Sequence, residues 1–206
     1  MASNRPVSRN GRRTLPVAAA VLLSLLLTLL AGCGSATTSE SPAASSPAAP
    51  VVYSLPHSLP KEVDIPKINA KSSLVQLGLN DDKTVQVPPV SRPQQAGWYQ
   101  NSPTPGEVGP SVILGHVDGN KQEGIFFHLH ELTKGDEVDV TRDDGKIAKF
   151  IVDHVDTVQK SGFSTDAVYG NTPDAELRLI TCGGTFDQAS HNYLSNVIAY
   201  AHLVQS

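Results

Sequence analysis

Cysteine is nearly missing from this chain. Two thiols in 206 residues, Cys33 and Cys182, are too few for a disulfide framework, so an ordinary apolar core must hold any domain together. Aromatic residues make up only 5%, tryptophan and methionine occur once each, and no stripe of lysine and arginine is visible. Stacking platforms and phosphate contacts are therefore lacking, and the modest net charge of −4 agrees, so nucleic acid is excluded as a partner. Metal motifs are lacking too. His128, His130, His154 and His202 form no compact ligand set, and Asp81-Asp82, Asp136-Glu137-Asp139 and Asp143-Asp144 fall in scattered acidic turns without calcium-loop spacing. No cofactor is expected.

Long apolar runs are confined to one place. After Arg5, Arg9, Arg12 and Arg13, a Leu- and Ala-rich stretch runs from about Leu15 to Ala31, near the short limit for a membrane-spanning helix and trimmed further by Pro16. That is the pattern of a secretory signal. It ends in Leu30-Ala31-Gly32-Cys33, which looks like a bacterial lipobox: residues 1–33 read as a signal peptide cut before Cys33, whose thiol takes the lipid. An uncleaved signal anchor is the alternative. Either reading puts the remainder outside the cytoplasmic membrane, tethered to its outer face.

Residues 34–60 turn to Ser, Ala, Thr and Pro, with too little apolar bulk to fold, and read as a disordered linker. Residues 61–206 suffice for one domain with its own core. Strand signals dominate it, at Leu74 to Leu79, Thr84 to Val87, Ser111 to His116, Glu137 to Thr141, Ile147 to Val158, Leu177 to Cys182 and Asn196 to Val204. Asp143-Asp144-Gly145 predicts a hairpin turn between two of them. Only Gly124 to Leu132 and Ser164 to Tyr169 read as helical. Many short strands with few helices predict an all-β barrel or sandwich.

Two residues draw attention as chemistry. Cys182 closes the apolar run Leu177-Arg178-Leu179-Ile180-Thr181 and precedes Gly183-Gly184, an exposed position for a thiol. His116 closes a second apolar run, Val112-Ile113-Leu114-Gly115. A thiol is a weak nucleophile until deprotonated, so a cysteine and a histidine at adjacent strand ends would make an acyl-transfer pair. Adjacency of the two strands is what this reading requires.

Ile65-Pro66-Lys67-Ile68, Gly97-Trp98-Tyr99, Pro105-Gly106, Ile113-Leu114-Gly115-His116-Val117-Asp118 and Leu179-Ile180-Thr181-Cys182-Gly183-Gly184 occur in this order. Taken together, the segment from Lys61 onward resembles a sortase, most closely the actinobacterial class F group. The resemblance implies a closed β-barrel of about eight strands and a cysteine transpeptidase. Cys182 would attack an LPXTG-like sorting signal of a surface protein and form a thioester. An amine acceptor, in that family usually a peptidoglycan precursor of the cell wall, would resolve it, with His116 moving the protons.

The same resemblance places an arginine within a Tyr-Arg-Asp-Asn-Val pattern, where this chain reads Tyr193-Leu194-Ser195-Asn196-Val197. Leu194 can neither donate a hydrogen bond nor carry charge. Loss of one such donor typically costs about 10² to 10³ in turnover. An alternative function follows: a sortase-like protein that binds sorting peptides or cell wall without turning over. His191, Asn192 and Ser195 surround the gap, and Arg178 lies on the strand face of Cys182 but four residues away.

Overall fold

In the computed structural model, residues 52–205 are described, and Cys33 and the expected signal segment lie outside them. Eight strands close on themselves: β1 (Pro60–Ile65), β2 (Ala70–Leu77), β3 (Ala96–Tyr99), β4 (Gly109–Gly115), β7 (Glu137–Arg142), β8 (Ile147–Gln159), β9 (Ala175–Asp187) and β10 (Asn192–Val204). Around the barrel the order is β1-β2-β3-β4-β9-β10-β8-β7, with β7 returning to β1. Closure leaves none of these eight strands as an open edge. A two-residue ladder, β5 (Asp118–Gly119) with β6 (Gln122–Glu123), stands apart.

Most pairs are antiparallel, but β2 with β3 and β4 with β9 are parallel. The second pair matters most for the site. Its ladder runs from Gly109↔Ala175 to Leu114↔Ile180. Both strands are buried on two faces, which explains their continuous apolar character. Ile113, Leu177 and Leu179 point into the barrel with Val63, Phe150 and Ala199. Val112, Leu114 and Ile180 point the other way, into a separate cluster with Leu77, Val168 and Ile198.

The predicted hairpin is present as β7 and β8, turning through Asp143 to Gly145, where Gly145 has φ of 78°. Helix is shorter than the sequence suggests. Gly124 to Leu132 yields one 3-10 turn at Leu129–Glu131, and the helix α1 (Thr165–Tyr169) is capped by Ser164, whose hydroxyl accepts from the Ala167 amide at 3.2 Å. Thr84 to Val87 forms no strand either. It folds back on Leu79 through a single bridge, held by Asn80, Asp82 and Thr84 contacting one another. Two strands lie outside the expected segments: β3 has only four residues, and β1 interleaves Lys61, Glu62 and Asp64 with its apolar positions.

The residues just before the expected domain start are already part of it. Leu55 donates to the Gly106 carbonyl at 2.7 Å, Ser58 is buried, and β1 begins at Pro60. Arg142 holds this segment. Its side chain is fully buried and donates to the carbonyls of Pro56 and Pro105, and it pairs with Asp144 at 3.1 Å. His57 stays exposed, bonded to Glu107 at 3.1 Å. Trp98 is core, its indole donating to the Pro103 carbonyl at 3.1 Å.

Truncating Arg142 removes a buried donor set that three chain segments share. Arg142→Ala is expected to destabilise the domain by about 3 kcal/mol, because the buried Pro105 carbonyl and the Pro56 carbonyl lose their donor and Asp144 its counter-charge. A urea midpoint unchanged from the parent would contradict this.

Candidate active site

The strand topology answers the question left open by the sequence. Because β4 and β9 are parallel neighbours, both leave their shared ladder at the same level, and His116 lies two residues beyond Leu114 as Cys182 lies two beyond its partner Ile180. Both side chains are half-buried and line one cavity of about 720 Å³. This cavity covers the outward-facing cluster, not the barrel interior. Leu114 and Ile180 line its floor, Leu79, Val85 and Val87 one wall, and Phe163 and Tyr169 another.

His116 is fixed through backbone and ring. Its carbonyl accepts from the Phe126 amide at 3.0 Å, and Gly124 packs so closely that an added Cβ would lie 2.1 Å from that carbonyl oxygen. The ring Nε2 is 2.6 Å from the Pro88 carbonyl. A carbonyl only accepts, so Nε2 carries a proton and Nδ1 is the nitrogen left to take one. Pro88 is buried within the segment between β2 and β3 that also forms the cavity wall.

Cys182 is a free thiol. The strand does not end there, as the following glycines suggested. β9 runs on to Asp187, with Gly183 packed against Val197 where a Cβ would not fit. Cys182 pairs with Asn196 of β10. Beyond that pair the ladder slips: from Gly183 to Phe186 β9 advances three residues while β10 advances two, from Ser195 to Tyr193. Gly184, with φ of 73°, supplies the left-handed turn this bulge requires.

Leu194 sits at the bulge, 44% exposed, and lines neither cavity near Cys182. Arg178 is excluded by its own bonds: it is buried, pairs with Glu176 and stacks on the Tyr200 ring at 4.6 Å. What sequence reasoning missed is Lys160, immediately after β8. Its Nζ lies 3.7 Å from the Cys182 Sγ and donates to Asn192 Oδ1 at 2.8 Å. No motif marks this lysine, since it meets the cysteine only through the barrel's closure.

A second cavity of about 340 Å³ opens on the other side of Cys182, between Val117, Phe126, Phe127, His130 and Tyr193. The thiol thus stands at the junction of two recesses. Asp118, two residues after His116, accepts a hydrogen bond from the Tyr193 hydroxyl at the rim of this cavity. That bond raises the Tyr193 phenol to about 12, with burial and the neighbouring negative charge of Asp118 adding to it. His191 is exposed in the turn that leads into β10.

The sequence model of the Sortase domain matches residues 63–204. The chain belongs to the sortase family. These are cysteine transpeptidases, and solved sortases share the fold. Sortase A from Corynebacterium diphtheriae is 20% identical with a TM-score of 0.53, the match covering 73% of this chain and 63% of that one. The Clostridium perfringens sortase D5 transpeptidase is 21% identical with a TM-score of 0.52, covering 72% and 79%. Sortase C-1 from Actinomyces oris is 22% identical with a TM-score of 0.52, covering 70% and 73%. No curated protein sequence matches significantly. The likeness in structure extends to sortases A, C and D, so it assigns the barrel without assigning a class.

The Asp118–Tyr193 bond gives a pH prediction. A phenol held protonated in the folded state contributes stability below about pH 10, and that contribution is lost as pH rises toward about 12. Replacing Asp118 by Asn should return one tyrosine to ionisation near the ordinary value of about 10. Ultraviolet titration of the folded protein measures it, and an unchanged titration would contradict the assignment.

Proposed function

We propose that this sortase is an extracytoplasmic cysteine transpeptidase, tethered to the outer face of the membrane through Cys33 lipidation or a signal anchor. It cleaves an LPXTG-like sorting signal and passes the acyl group to an amine, as a class F sortase would pass it to a cell-wall precursor. The observation that carries the reading is the placement of Cys182 and His116 at matching positions, two residues beyond the last pair of one parallel ladder, lining one apolar cavity.

In this reading the Cys182 proton passes to the imidazole of His116, and the thiolate sulfur bonds to the scissile carbonyl carbon. The carbon–nitrogen bond then breaks. The departing amine takes the proton back from His116, leaving a thioester on Cys182. An acceptor amine attacks that thioester, gives its proton to His116, and the carbon–sulfur bond breaks to restore the thiolate. Access from two sides suits such a sequence. A peptide acyl donor fits along the larger cavity with its Leu114 and Ile180 floor, while the amine reaches the thioester from the smaller one.

Leu194 supports the competing reading, a sortase fold that binds peptide without turnover. The two readings part at the thioester. Full-length protein in detergent, mixed with an LPXTG-type peptide, should gain the mass of the acyl fragment on Cys182 and lose it to hydroxylamine. His116→Ala should slow this acylation by about 10² to 10⁴. An amine such as triglycine should raise product formation above hydrolysis. Peptide binding without any adduct would sink the transpeptidase reading.

A further inference from the structure

The family resemblance expects a positive charge at Leu194, and another element brings one to Cys182. Register across three strands sets this up: Asn196 of β10 pairs with Val158 of β8 on one side and with Cys182 of β9 on the other. Lys160 follows two residues after Val158, so its long side chain lies across β10 toward the sulfur. Among the described residues it is the one lysine or arginine within hydrogen-bonding reach of Cys182.

The position is held. Asn192 Oδ1 accepts from the ammonium at 2.8 Å, and Asn192 is itself fixed as the first residue of β10, paired with Asp187. Asp187 in turn caps the preceding turn by accepting from Ala189 and Ser190. Asn192 offers an amide oxygen and no negative charge, so the ammonium is oriented without being neutralised. Its remaining protons face the thiol in a half-buried, largely apolar cavity, where a charge pair is worth more than in open water. Had a carboxylate stood at 192, the lysine would serve as a salt bridge.

We infer that Lys160 is a catalytic residue of this sortase, its ammonium pairing with the Cys182 thiolate in the place that the family resemblance gives to an arginine at Leu194. The proposal rests on Cys182 being the nucleophile. The ammonium favours the thiolate before attack. As the carbonyl oxygen becomes negative, the same fixed charge is close enough to stabilise it, which is the larger contribution in acyl transfer.

Other groups line the cavities beside Cys182 and must be held constant in a test. Just beyond β4 there is His116, and from the segment after β2 there is Lys83 on the cavity wall. Tyr99 and Tyr169 line the same cavity, His130 lines the smaller one, and Tyr193 stands near Cys182 with its hydroxyl on Asp118. None of these is altered by a change at 160.

The test uses full-length protein carrying Cys33→Ser, so that Cys182 is the sole thiol. Alkylation by iodoacetamide is followed against pH, with no peptide needed. Lys160→Met and Lys160→Gln are expected to lower the alkylation rate across that profile, and Lys160→Arg to leave it near the parent's. Peptide acylation should fall about 100-fold in the neutral variants and recover to within about tenfold in Lys160→Arg. A merely structural lysine would not make the thiol profile follow charge. Coincident alkylation profiles in folded parent and neutral variants would overturn the inference. A lowered profile in a protein that no sorting peptide acylates would leave Lys160 paired to the thiol and refute the transpeptidase reading alone.

Discussion

The site depends on one pairing, β4 alongside β9 in parallel. Antiparallel neighbours would have put one strand's end beside the other's beginning, separating His116 from Cys182 by the length of the ladder. Parallel pairing brings both ends to the same rim, and a parallel pair cannot be joined by a tight turn. The chain from Val117 to Asp174 is that connection. It contains β5 to β8 and α1, so the long crossover also supplies Lys160, Phe163, Thr165 and Tyr169 to the larger cavity and Phe126, Phe127 and His130 to the smaller one.

The barrel gives these strands two apolar faces with different duties. Inward residues such as Leu177, Leu179 and Ile113 close the core, while Ile180, Leu114 and Val112 form an outward apolar floor that the cavity covers. Each buried leucine or isoleucine is worth about 1.5 to 3 kcal/mol, so the inner face secures the strands whether or not the outer face is occupied. Polar groups gather at the rim. Lys160 with Asn192 stands on one flank of Cys182, and Asp118 with Tyr193 on the other.

Much of this was legible in the residues. The runs ending in His116 and Cys182 are continuous and apolar because both strands are buried twice, and the Asp143-Asp144-Gly145 turn declares its hairpin. Thr84 to Val87 misled because β-branched residues satisfied strand propensity where local Asn80, Asp82 and Thr84 bonds fold the chain back. Gly124 to Leu132 misled because its apolar residues Ile125, Phe126, Leu129 and Leu132 pack into the core from tight 3-10 turns and not from an α-helix. The strand expected to stop at Cys182 runs on because Gly183 permits close strand packing and Gly184 a bulge. Lys160 could not be read at all: nothing local distinguishes it, and its meeting with Cys182 needs the register of β8, β10 and β9.

That bulge bears on how a sortase could dispense with a strand-borne arginine. A bulge re-aims the side chain opposite it. Here the slip between Tyr193 and Ser195 leaves Leu194 exposed while restoring Asn196 to its place across from Cys182. The β10 backbone next to the thiol is therefore kept, and on the family resemblance only a charge would be lost. A residue beginning the segment between β8 and β9 can replace it because that segment already approaches the cavity through Phe163, Thr165 and Tyr169. The source of charge would then be carried by the same stretch of chain that shapes the groove. Substrate contacts and thiolate stabilisation would be coupled through Lys160, which a charge carried on the rigid strand of a closed barrel would not provide.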